Sequence, residues 1–597
     1  MRKARVCHCR HLWRNFLLAA SILLFCAGHP SAVAQGMGTP HPNKSGGNPS
    51  KATIINTGIS LDDIAAEAGL NFQHVSGEPI KKKFLLEATG SGVAIFDYDG
   101  DGLEDIFLVN ADRWGDTKGK PRPTSRLYRN LGHLRFEDVT EKAGLLHSGW
   151  GQGVCVGDYD NDGHEDLFVT YYGYNVLYHN DGNGHFTDVT HKAGLPTDGI
   201  RWGTGCSFFD YDRDGKLDIA VANYVKFDPK HSPLPGGNPI CQFKGLPVVC
   251  GPRGLVGGTN VLYRNMGDGT FKDVSQTSHF DQPSGHYCFS TITGDFDGDD
   301  WPDVFLACDS TPNILLHNNR DGTFTDVAIP SGTAFNDNGE EQGSMGADAG
   351  DYAHTGRLDL VVTTFDDDVP ALFLNESDNS FSDVYLQAGL GYRTHQVGWG
   401  VAFLDLDNAG WLDIFMVNGH VYPNVDSLLR ESHYQEEKNL YYNLRNGTFA
   451  DITGHSGSGT VEPSVARGMA YGDLANDGSL EIVVNNLDSR PNLLVNRGPK
   501  GNWLTLKLVG TASNRDAIGA QIKVRTGSVT QMAEVRSGCC YLSQSDMRLH
   551  FGLGKASKVD LVEVRWPNGR KEVFNVAHIN NMLELREGFG ASVIQGK

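Results

Sequence analysis

A nine-residue pattern, Asp-x-Asp-x-Asp-Gly-x-x-Asp, constrains this chain more than any other feature, because it recurs in seven versions along most of the sequence. An alternating apolar run follows each copy, and a glycine usually stands five positions ahead of the first aspartate. The first copy, GVAIFDYDGDGLEDIFLVN from Gly92 to Asn110, carries Asp97, Asp99, Asp101 and Asp105. The second has Asp158, Asp160, Asp162 and Asp166, the third Asp210, Asp212, Asp214 and Asp218, and the fourth Asp295, Asp297, Asp299 and Asp303. Three later copies decay. The fifth keeps Asp351 and Asp359 around Ala353 and Thr355; the sixth keeps Asp405, Asp407 and Asp413 but has Ala409; the seventh has Asp473, Ala475, Asp477 and Glu481.

A second element follows the loops: Leu-Tyr-x-Asn, a Gly-containing turn, then Phe-x-Asp-Val or a close variant. It reads LYRNLGHLRFEDVT from Leu127, LYHNDGNGHFTDVT from Leu177, LYRNMGDGTFKDVS from Leu262 and LYYNLRNGTFADIT from Leu440. DG and NG turns between aromatic-rich runs are hairpin signals, so each unit supplies about four short strands. The units start about 63 residues apart on average, which predicts an all-β, seven-bladed propeller with a small β domain after it. LDDIAAEAGL at 61–70 resembles the end of a unit, the displaced piece a ring needs if its last blade is completed from the other terminus.

Alternating carboxylates in a tight loop suit calcium, which takes six to eight oxygen ligands at about 2.3–2.6 Å. The predicted ligands are the four aspartates of each complete copy plus the backbone carbonyls of Leu103, His164, Lys216 and Trp301. An EF-hand would place Glu at position twelve, whereas Leu108 occupies it here, in a strand. All-oxygen ligation favours calcium over zinc or copper, and magnesium prefers to keep water. Asp-Gly clusters can also simply make turns. Four carboxylates within nine residues, repeated at one spacing, are costly without a cation. Asp405, Asp407, Asp413, Asp473, Asp477 and Glu481 are weaker ligand candidates, and the fifth copy is not expected to bind. Nothing like a water-activating base accompanies the loops in the pattern, so about four calcium ions are expected in structural roles.

Composition bounds the partners. Asp+Glu 72 against Lys+Arg 51 gives a net charge of −21, which argues against a phosphate backbone as ligand. Residues 1–34 read as a signal peptide: basic residues from Arg2 to Arg14, an apolar run from Phe16 to Ala27, then Ala32-Val33-Ala34. Phe25 before Cys26 argues against a lipoprotein cysteine. A tether is expected over 35–52, the propeller over 53–500, the β domain over 501–587 and a tail over 588–597. No other segment is apolar enough for a membrane helix, which predicts a secreted, cell-surface or periplasmic protein. In such a compartment Cys241 and Cys250 are expected to pair. Adjacent Cys539 and Cys540 would be strained as a bridge, and Cys155, Cys206, Cys288 and Cys308 read as buried thiols at least as readily as disulfides.

The loop residues resemble the FG-GAP/VCBS repeats of integrin α-subunit propellers and bacterial surface proteins, over about residues 60–498. Residues 502–574 look very like an ASPIC/UnbV domain, on Asn514, Arg515, Gly519, Ala520, Gly552-Leu553-Gly554 and Trp566-Pro567-Asn568-Gly569. The combination is similar to the cartilage acidic protein family. The resemblance implies an extracellular calcium-binding protein, and the departure from it is Cys539-Cys540, where a small residue is expected. Arg515, Asp516, Arg536, Ser543, Gln544, Asp546 and Arg548 fall in polar connections of the β domain and read as a solvated network rather than a ligand site.

The longest insertions, 110–126, 223–261 and 418–439, all follow the second strand of a unit, on the face opposite the aspartate loops. Long ordered loops on a rigid ring commonly carry binding. Trp114, Tyr224, Arg253, His420 and Tyr422 are the candidate partner surface, against the plainer reading that they anchor the loops. The sequence thus predicts a secreted, calcium-stabilised binding protein for an extracellular protein or glycan. A polysaccharide hydrolase or lyase is the alternative and a structural spacer a third reading. No GxSxG, HExxH or P-loop pattern accompanies the repeats, so no catalytic residue is assigned.

Overall fold

Each unit folds as four antiparallel strands because its apolar residues alternate and its turns carry Gly, Asn or Asp. The computed structural model describes residues 55–115, 119, 121–377, 379–391, 393–428 and 432–592; the expected signal peptide and tether lie outside them. In the first unit Val93–Phe96, Asp105–Leu108, Arg126–Asn130 and Phe136–Asp138 pair in that order. Six further units repeat the scheme, and the second and third are joined where Arg201 and Trp202 pair with Gly173 and Tyr172.

The innermost strands are Val93–Phe96, Trp150–Gly157, Arg201–Phe209, Cys288–Gly294, Ala347–Gly350, Gly398–Leu404 and Ala466–Gly472. Each touches the next and the last touches the first, so the seven sheets close a ring. The ring is sealed as the displaced half-unit predicts: Leu61–Asp63 pairs antiparallel with Asn492–Asn496. The glycine ahead of six of the loops, replaced by Ser290 in the fourth, lies where backbones crowd at the ring axis. A Cβ on Gly92 would meet Leu542 O at 2.1 Å, and one on Gly346 would meet Trp399 O at 1.9 Å.

The C-terminal part forms two sheets. One orders Leu549–Gly554, Asn502–Val509 and Asn581–Arg586; the other orders Val529–Glu534, Gln521–Thr526, Leu561–Arg565, Lys571–Phe574 and Ala591–Ser592. The last pairing carries the domain to Ser592, so residues 588–592 are not a free tail. Its buried Leu504, Leu506, Ile522, Val524 and Trp566 share one apolar cluster with the second, third and fourth units.

Cys241 and Cys250 are bridged as expected, at an S–S distance of 1.98 Å. Two pairings went unforeseen. Cys155–Cys206 links the inner strands of neighbouring units, and Cys288–Cys308 joins cross-strand neighbours whose Cα atoms are 3.9 Å apart.

Candidate metal centres

Every loop is built on the same two carboxylates. The first aspartate accepts two backbone amides from the turn it opens: Asp97 from Asp101 and Gly102, Asp158 from Asp162 and Gly163, Asp351 from Thr355 and Gly356, Asp473 from Asp477 and Gly478. In the first six loops the last carboxylate receives an amide of the unit's third strand, as in Asn130 N to Asp105 at 2.7 Å and Asn375 N to Asp359 at 2.9 Å. Two left-handed residues shape the turn, for instance Asn161 and Gly163 in the second loop. In the fourth loop the second of them is Asp300, at φ 73°, where the other loops have glycine.

The middle aspartates separate the complete loops from the rest. Carboxylate oxygens of Asp97, Asp99 and Asp101 converge to within 4.8 Å of one another, as do those of Asp158, Asp160 and Asp166. Asp99 and Asp212 each keep a buried oxygen without a hydrogen-bond donor, as do Asp359 and Asp413 in the fifth and sixth loops. Burial, reinforced by Asp99 and Asp97, pushes Asp105 up to about 9; burial, with Asp214 and Asp212, pushes Asp210 up to about 7. Such sets ionise fully only with positive charge among them. Hard oxygen donors, orphaned carboxylate oxygens and suppressed ionisation together fit a divalent cation of calcium's chemistry.

Each complete loop also has a cationic neighbour that the repeat pattern did not single out. It is the variable residue of Leu-Tyr-x-Asn, projecting from the third strand. Arg129 lies 2.7 Å from Asp99 and 2.9 Å from Asp101, and Arg264 lies 2.6 Å from Asp212. His179 is 3.2 Å from Asp166 and His317 is 3.1 Å from Asp297. The adjacent Asp166 carboxylate pushes His179 up to about 9. The decayed units place Leu374, Tyr442 and Val495 at this position. His179 and His317 thus stand beside the second and fourth loops, each held by carboxylates.

Family models match these stretches directly. The FG-GAP-like repeat model matches residues 97–169, 158–221, 248–306 and 295–362, and the ASPIC and UnbV model matches 510–592. The chain is an FG-GAP-like repeat protein with an ASPIC and UnbV domain. It is 25% identical to human cartilage acidic protein 1 (Homo sapiens) over 83% of this chain and 62% of that protein. To the Mus musculus protein it is 27% identical, over 83% and 64%. It thus spans less than two thirds of the length of these relatives. A solved structure, YCF48 bound to D1 peptide, is matched over 71% of this chain and 99% of that one, at 8% identity and a TM-score of 0.37.

The ASPIC and UnbV domain sits on the loop face of the FG-GAP-like ring. Asn161 accepts the amide of Arg515 at 2.7 Å, Arg213 donates to Pro567 O at 2.7 Å, and His550 meets Asn408 at 2.7 Å. Arg565 pairs with Asp295 at 3.1 Å, Arg536 with Asp348 at 3.0 Å, and Arg548 with both Glu104 and Asp546. Residues 537–546 enter the ring and bond to its inner strands, with Ile95 N on Gln544 O, Val154 N on Leu542 O, Ala347 N on Cys540 O and Asp546 N on Tyr471 O. The polar connections read as a solvated network are thus the docking surface: Ser543, Gln544 and Arg548 are buried against the ring.

The opposite face corrects the partner-surface expectation. Tyr224, His420 and Tyr422 are fully buried, in a cluster that includes Phe243, Phe289, Phe365 and Trp399. Trp114 packs on Trp150 and Phe84. Loops long enough to need a core of their own bury their aromatics to make it. Trp114 and Arg253, the latter 3.2 Å from Glu341, are half-buried. Ile80, Leu146, Tyr174, Ile200, Leu234 and Val256, 39–79% exposed, lie in segments that open on this face.

Proposed function

We propose that this is a secreted, non-catalytic binding protein whose blade loops hold about four structural calcium ions and whose insertion face takes an extracellular protein or glycan. The observation that carries the reading is the insertion face, opposite the docked ASPIC and UnbV domain, where Ile80, Leu146, Ile200, Leu234 and Val256 stand exposed; Leu131 and Met266 are exposed beside the loops. Apolar side chains mark an interaction site where they form one contiguous patch, which the proposal requires of this face. Three disulfides and relatives named for a cartilage protein support an extracellular setting, and no helix among the described residues is long and apolar enough to cross a membrane. In the loops, Asp97 and its counterparts order the turn, Asp99 and Asp101 supply charge, and Arg129 or His179 offsets it. A bound calcium ion would supply positive charge that locks the turn.

Glycan and protein arrays probed with the mature chain, and with an Ile200→Ser/Val256→Ser variant, test this. Capture without turnover, lost in the variant, is expected. Product release from a captured polysaccharide, or capture unchanged by the variant, would overturn it.

A further inference from the structure

Cys539 and Cys540 sit where the segment inside the ring turns back, and neither the loops nor the docking contacts use their thiols. Successive side chains in extended backbone point apart. Cys540 instead takes a left-handed conformation, φ 62°, and the two Sγ atoms converge to 3.0 Å. Both face Ser545, whose Oγ lies 3.1 Å from Cys539 Sγ and 3.8 Å from Cys540 Sγ. The backbone is pinned on both sides: Cys539 N donates to Ser543 O at 2.9 Å, and Ala347 N donates to Cys540 O at 2.7 Å. Cys539 lines a cavity of about 110 Å³ between the ring and the C-terminal domain, with Tyr471, Asp348 and Arg536, while Cys540 is fully buried. The other described cysteines are all paired.

We propose that Cys539 and Cys540 form a thiol-oxidation site that closes into a vicinal disulfide, a fourth bridge and the most easily reduced of the four. A bond at about 2.05 Å needs the sulfurs to close by about 1 Å. The oxidant is a low-molecular-weight disulfide, R–S–S–R. Cys539, on the cavity wall, attacks first as its thiolate and displaces RS⁻, giving a mixed disulfide. Burial pushes the Cys540 thiol up, so it reacts second. On losing its proton it attacks Cys539 Sγ and displaces the second RS⁻. Two cysteine thiols and R–S–S–R thus yield the ring and two R–SH, the protons ending on the released thiols. A bridge between neighbours is strained, and strained disulfides are the reducible ones. The turn it would fix is the one that packs Tyr541 against Trp399 and Phe289, at 5.0 Å and 5.6 Å between ring centroids.

The test uses the full chain purified without reductant, denatured in guanidinium with iodoacetamide and digested. The peptide spanning 539–540 is expected without alkylation and two hydrogens lighter than the dithiol. A thiol titration of the native protein should open this pair at a concentration at least roughly tenfold below that for the other three bridges. Cys539→Ser and Cys540→Ser should each leave one alkylatable thiol in the peptide spanning 539–540 and the other bridges intact. Alkylation of both cysteines in the unreduced chain, opening in step with the other bridges, or pairing of the remaining cysteine elsewhere in a single variant would each overturn the proposal.

Discussion

The first and fifth loops fold alike and differ in their charge. Asp97 and Asp351 each accept two turn amides, and Asp105 and Asp359 each brace the third strand. Between them the first loop has Asp99, Asp101 and a facing Arg129, where the fifth has Ala353, Thr355 and Leu374. The fifth loop fills the gap with packing: His354 stacks on Trp411 at 4.0 Å between ring centroids. The loop's shape and its cation site are therefore separable. Terminal carboxylates make the turn whether or not an ion is held, and the middle pair with its cationic neighbour is what calcium binding would add.

Chelation tests that division most forcefully. If four loops hold calcium at about a hundred times its Kd, each contributes about 2.7 kcal/mol, and removal should lower the melting temperature by about 9 °C. Scanning calorimetry with and without chelator checks this, and an unchanged transition would erase the difference between the two kinds of loop. Next in size is Asp99→Asn with Asp101→Asn, which should remove one ion by titration calorimetry and about 2.7 kcal/mol of calcium-dependent stability. The reciprocal Ala353→Asp with Thr355→Asp should add an ion to the fifth loop. Asp351→Ala comes third. It leaves the amides of Thr355 and Gly356 without their acceptor, at about 1–3 kcal/mol, and leaves the ion count alone. A lost ion in that variant would show that the fifth loop also binds.

The ring was legible because its instructions are local and repeated. The loop pattern, the Leu-Tyr-x-Asn strand and the displaced unit at 61–70 each report one position in one blade, and Leu61–Asp63 duly completes the last sheet. The Cys241–Cys250 bridge was legible for the same reason, a separation of 9 residues in a Pro- and Gly-rich stretch. What stayed hidden depends on contacts between distant segments. Cys155 reaches Cys206 only because two inner strands are neighbours, and Arg129 reaches Asp101 from 28 residues away. A signal for the latter was present, since the variable position is Arg or His in the four complete units and uncharged in the rest. Arg548 and Gln544 looked solvated because the surface that buries them belongs to another part of the chain, and Tyr224 and Tyr422 looked exposed because the core they enter is assembled from several insertions and the ring's inner strands.

Arg129 offers the smallest and most discriminating test. Its guanidinium is about one third exposed and contacts Asp99 and Asp101, the carboxylates that set the first loop apart from the fifth. A positive charge there repels a divalent ion yet holds together a loop that carries excess negative charge without one. Arg129→Gln should therefore lower stability in chelator by about 0.5–1 kcal/mol, as a partly exposed ion pair would, while tightening calcium binding at that loop. Arg264→Gln should do the same in the third loop, and the two effects should add because the sites share no side chain. Leu374→Gln, at the equivalent place in the fifth loop, should leave calcium binding unchanged. Weaker calcium binding in Arg129→Gln would instead make the arginine part of the bound site, and the co-occurrence of cation and complete loop would then reflect ligation rather than the folding of the ion-free turn.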